Sequence, residues 1–136
     1  MNQRFPNRVQ QLLIAAGWFP GRCVELPVLP KDFVLFDAAE KALHEFGGLK
    51  IAASAEGVDF FGDGIVFLPA VAEGLSPGTG LIAKNGKRIF PLGGFFCTHA
   101  VLFIDEDGEA YDWFDDVELV APSLDQALVK LLLGIR

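Results

Sequence analysis

A chain of 136 residues that is 51% hydrophobic and carries thirteen Phe is long enough to bury a core without staples and too apolar to stay unfolded. Its 18 acidic against 11 basic residues give a formal charge of −7. That balance excludes the basic footprint that phosphate binding needs, so direct nucleic-acid contact is not expected. No signal-peptide pattern and no run apolar enough to span a bilayer is evident, so the expectation is one cytoplasmic domain over residues 1–136. Cys23 and Cys97, far apart, are then expected as reduced, buried thiols, with a disulfide between them as the alternative.

The first element is a helix over residues 6–16, because Val9, Leu12, Leu13 and Ala16 fall at helical spacing. Pro6 fits its first turn and Gly17 its C-terminal cap. Trp18, Phe19, Pro20, Gly21 and Arg22 form a turn flanked by aromatics. The stretch 23–29 is extended but interrupted by Pro27 and followed by Pro30, which bars it from a sheet centre. A second helix places Phe33, Phe36, Ala39, Leu43 and Phe46 on one stripe, with Asp32 as N-cap and Gly47-Gly48 as a stop. Short apolar runs at 49–53, 58–61, 65–68 and 87–92 read as strands, and 69–80 as a loop containing a helical turn.

Residues 99–104 and 109–114 bracket Asp105-Glu106-Asp107-Gly108, a hairpin turn in which Gly108 supplies positive φ. Apolar residues on both faces of 101–104 mark that strand as central. A strand at 117–120 and a last helix follow, the helix capped by Ser123, striped by Leu124, Ala127, Leu128, Leu131 and Leu132, and ended by Gly134. The class is α+β: an antiparallel sheet of five to six strands, with two N-terminal helices and one C-terminal helix packed on it.

Residues 105–118 carry eight carboxylates and no Lys or Arg, interleaved with Tyr111, Trp113, Phe114 and Val117. The alternation pins one side to a core and turns an uncompensated negative field to solvent. Such a field either only aids solubility or steers a basic partner.

Catalytic signals are thin. Cys97 and His99 share a strand face, as a nucleophile and base would, but two core-facing residues explain the pair as well. Zinc would require Cys23, His44, Cys97 and His99 to converge, and no pair has the spacing of a zinc module. The Asp-Gly turn resembles the start of a calcium loop, yet Phe114 occupies the position of the closing Glu. Arg22 is expected to stack on Trp18 and Phe19 or to pair with a carboxylate of another segment, an anchor locking the first helix to the sheet, with contact to a partner as the alternative.

Four pieces in order resemble the SUKH superfamily, specifically its third family. They are Ala16-Gly17-Trp18 with Pro20-Gly21-Arg22, then Glu45-Phe46-Gly47-Gly48-Leu49, then Pro91-Leu92-Gly93 before the Asp-Gly turn, and Ser123-Leu124-Asp125-Gln126-Ala127-Leu128 with Leu132-Leu133-Gly134. The resemblance spans nearly the whole chain. It implies no enzyme and no cofactor, but an immunity protein that binds and neutralises a cognate toxin domain, a nuclease or deaminase encoded nearby. In such a protein Trp18, Pro20, Gly21, Arg22, Phe46, Gly47, Gly48, Pro91 and Gly93 are fold determinants. The expected partner-facing residues are Asp105, Glu106, Asp107, Glu109, Asp112, Trp113, Asp115, Asp116 and Glu118. The segments 74–80 and 93–96 are candidate partner loops. A peptide-binding adaptor or regulatory scaffold on the same fold is the competing reading.

Overall fold

The computed structural model describes residues 4–30, 33–52, 64–72, 87–96, 100–113 and 117–134. Helix α1 spans Asn7–Ala16. Pro6 stands just outside it, at the N-cap, where its missing N–H leaves one orphan donor fewer. Gly17, at φ 111°, closes the helix, and Trp18 N–H returns to the Leu13 carbonyl at 2.9 Å.

Helix α2 spans Asp37–Phe46, four residues later than the stripe beginning at Phe33 suggests. Phe36 is its N-cap and gives no side-chain cap; Asp32, the expected cap, lies outside the described residues. Phe33 explains the late start. Its ring packs 6.2 Å from Phe90 and 6.0 Å from Phe103, so tertiary burial overrides local helical periodicity there. Asp37 and Glu40 favour the first turn through the helix dipole.

Among the described residues six strands follow: β1 (Lys50–Ile51), β2 (Ile65–Val66), β3 (Ile89–Phe95), β4 (Val101–Asp105), β5 (Ala110–Trp113) and β6 (Val117–Ala121). They pair in sequence order, every neighbour antiparallel. The strand expected at 58–61 lies outside the described residues. A short 3-10 helix, Pro69–Ala72, supplies the helical turn expected there.

Strand β3 runs through Pro91, which a central strand ordinarily rejects. The register shifts between Pro91 and Gly93, so a bulge absorbs the missing donor. Gly93 is obligatory: a Cβ there would lie 1.9 Å from the Val66 carbonyl oxygen. Helix α3, Leu124–Leu133, starts on Ser123, whose Oγ accepts from Gln126 N–H at 3.2 Å, and ends on Gly134 at φ 64°.

The three helices share one face of the sheet. Val9, Leu13, Leu43, Phe46 and Leu128 pack there with Phe90, Leu92, Leu102 and Ile104. Ile89, Val101, Phe103, Tyr111 and Val117 form a second cluster on the opposite face. Strand β4, buried at every position, is central, as its sequence implies.

Candidate partner-binding surface

The glycine- and aromatic-rich motifs converge at the end of α2. The Arg22 guanidinium donates to the Glu45 carbonyl at 2.5 Å and to the Gly47 carbonyl at 3.0 Å. It thus satisfies the orphan acceptors of the last turn and places a cation at the negative helix end. Those two carbonyls, rather than Trp18, Phe19 or a carboxylate, are its hydrogen-bond acceptors, and the residue holds the turn after α1 to α2. A Cβ on Gly47 would sit 2.4 Å from the Leu43 carbonyl oxygen, and Gly48 N–H donates to Phe67 across to the sheet at 2.9 Å. Trp18 is buried, with its Nε1–H on the Glu45 carboxylate at 3.0 Å, and the exposed Pro20 and Gly21 shape the turn before Arg22.

Arg4 is the residue that sequence reasoning missed. Its guanidinium meets Glu45 and Asp125 at once, 2.5 and 2.7 Å away, and lies 5.0 Å from the Phe5 ring centroid. It therefore ties the leading segment, α2 and α3 together. No local signal marks it, because its partners are 41 and 121 residues away.

Beside this junction is an open cleft of about 620 Å³ on the polar side of α2. Cys23 on its rim is a free, exposed thiol, which corrects the expectation of a buried one; the turn around it is solvated, with Gly21 and Glu25 exposed as well. Cys97 and His99 lie outside the described residues. His44 Nδ1 donates to the Val24 carbonyl at 2.7 Å while Val24 N–H donates to His44 O at 2.8 Å. The cleft is lined by Arg4, Arg22 and Lys41 against Asp37, Glu40 and Glu45. These charges cancel, so the cleft has no net field to select a charged partner.

The acidic run divides into three parts. Asp105 is fully buried and turns inward: Oδ1 accepts from Asp107 N–H at 2.9 Å and Glu109 N–H at 3.0 Å, and Oδ2 from the Tyr111 hydroxyl at 2.8 Å. It builds the hairpin, with Gly108 at φ 89°, and is not available to a surface patch. Burial, and then the Asp105 carboxylate, push the Tyr111 hydroxyl above the ordinary phenol range.

The second part is the exposed turn. Glu106 pairs with Arg88 at 2.7 Å and Asp107 with Lys87 at 2.6 Å. The Arg88 side chain holds the Glu106 carboxyl below its usual range, and Asp107 raises the Lys87 ammonium. The run is therefore compensated here by Lys87 and Arg88, just before β3, which corrects the expectation of eight unpaired carboxylates.

The third part is strands β5 and β6. Asp112 and Glu118 are direct cross-strand partners, two like charges side by side. Partial burial, then the Glu118 charge, raise the Asp112 carboxyl. Lys130, reaching this edge from α3, donates to the Val120 carbonyl at 3.2 Å instead. Strand alternation puts Asp112 and Glu118 on the helix side and Trp113 on the other, where it packs half-buried beside Tyr111 and Val117. Glu109, 3.0 Å from the Tyr111 hydroxyl, shares the Trp113 face. Asp115, Asp116 and Phe114 lie outside the described residues.

Taken together, the fold is a small α+β module whose motif residues hold elements together and whose sheet edge sets Asp112 and Glu118 side by side. The chain belongs to the SUKH-3 immunity protein family, whose model matches residues 5–134. Its role is accordingly that of an immunity protein, and its partner a cognate toxin. No curated protein and no solved structure matches the chain. Among the described residues, no helix is long and apolar enough to cross a membrane.

Proposed function

We propose that the protein acts without catalysis, in the cytoplasm, by laying its acidic sheet edge over the active cleft of a basic toxin domain of nuclease or deaminase type. The observation that carries this reading is the Asp112–Glu118 pair, two carboxylates held together with a raised Asp112 carboxyl instead of an ion-paired one. Holding like charges together costs stability, and a cationic partner relieves that cost on binding. Toxins that handle nucleic acid are basic around their clefts, so the field matches. Within the expected patch, Asp112, Glu118, Glu109 and Trp113 form the binding edge. Glu106 and Asp107, already paired, contribute little, and Asp105 contributes through the turn it builds.

The test is co-expression with the reading frame beside the gene. Rescue of cells from a lethal C-terminal domain, with a stable complex of the two proteins, supports the reading. A lethal domain that this protein neither binds nor neutralises contradicts it.

A further inference from the structure

An antiparallel sheet with helices on one face ordinarily turns polar side chains to water on the other. Here that other face is apolar along β3 and β4 as well, and at the β5–β6 end it is the helix side that carries the acids. The acids Asp112 and Glu118 take the side of the three α-helices, while Trp113, Val117 and Leu119 take the opposite side. Leu119 lies directly across from Tyr111 and is 58% exposed. A lone exposed Leu requires no explanation. This one lies diagonally across from the half-buried Trp113, next in the strand to Glu118, and its base is rigid because the Tyr111 hydroxyl opposite it is fixed by Asp105.

We infer that Leu119, with Trp113 beside it, is the apolar anchor of the toxin interface, entering a hollow on the toxin that is rimmed by Lys or Arg side chains. The inference rests on the immunity reading and adds where the partner sits: astride the β6 edge, with Leu119 and Glu109 on the side away from the α-helices and Glu118 with Asp112 on the other. Partner chemistry follows from the charge. Strands β5 and β6 contain no Lys or Arg, so a cationic rim meets no repulsion from them. The balanced cleft beside α2 has no such selectivity. Phe96, 49% exposed, packs its ring against Gly64, and among the described residues no acid is paired with it. Hot-spot residues of this kind act on dissociation, whereas rim charges act on association.

The experiment measures binding of the catalytically inactivated toxin domain encoded beside the gene to the wild-type protein, Leu119→Ser, the strand-preserving Leu119→Thr, and Phe96→Ser. Both Leu119 variants are expected to melt like the wild type, to associate at its rate and to dissociate about tenfold faster or more. Phe96→Ser is expected to match the wild type throughout. Equal dissociation for all four proteins, or a loss confined to Phe96→Ser, overturns the anchor and leaves the immunity reading standing. Failure of the wild-type protein to bind overturns that reading and this inference with it.

Discussion

The junction around Arg22 and the acidic strands β5–β6 both concentrate charge, and they use it in opposite ways. At the junction every charge is turned inward: Arg22 onto helix-end carbonyls, Arg4 onto Glu45 and Asp125. On β5–β6, Asp112 and Glu118 face one another, and among the described residues no cation pairs with either. Charge that is satisfied within the molecule builds the fold; charge left at odds with itself is free for a partner. Sign and density alone, as read along the sequence, do not distinguish the two.

The comparison is broken most sharply on its structural side. Gly93→Ala forces a Cβ onto the Val66 carbonyl and is expected to cost about 3 kcal/mol or more, lowering the melting temperature by about 10 °C. A melting curve like that of the wild type would mean that β2 and β3 separate easily. Arg22→Ala strips two carbonyls at the end of α2 of their donor and is expected to cost about 2 kcal/mol in a denaturant titration. Neither variant, while folded, is expected to alter the rate of toxin association.

The effect on the acidic side is smaller and depends on pH. Asp112 has a folded-state carboxyl raised above its unfolded value, so the folded state holds the proton more tightly. The penalty is absent below the unfolded range near pH 4 and grows as pH rises through the raised folded value. Asp112→Asn is therefore expected to melt slightly higher than the wild type at pH 7, with the difference vanishing near pH 4. An equal difference at both values would place the effect in packing rather than in charge.

Much of this fold was legible because local chemistry and tertiary structure agree. Ser123 and Gly134 bound α3, Gly108 makes the hairpin turn, and the two-sided apolar pattern of β4 puts it at the sheet centre. Where they disagree, the sequence misleads. The Phe33 stripe extends a helix that packing of Phe33 onto Phe90 and Phe103 forbids. Pro91 and the two glycines after it appear to end a strand that in fact continues to Phe95, because a bulge accommodates the proline and Val66 demands a glycine.

The acidic run was visible as a composition, but its partition was not. Arg88 lies 18 residues from Glu106, and only the β3–β4 register brings them together. The placement of acids on the helix side of β5 and β6 likewise follows from a register that includes a shift between Ala110 and Tyr111.

The most direct measurement is the association rate of the neighbouring toxin domain as a function of ionic strength, for the wild-type protein and for Asp112→Asn combined with Glu118→Gln. The wild-type rate should fall steeply as salt rises, and the neutralised variant should start slower and respond more weakly. Two coincident salt curves would contradict the assignment of β5–β6 as the surface that meets the toxin.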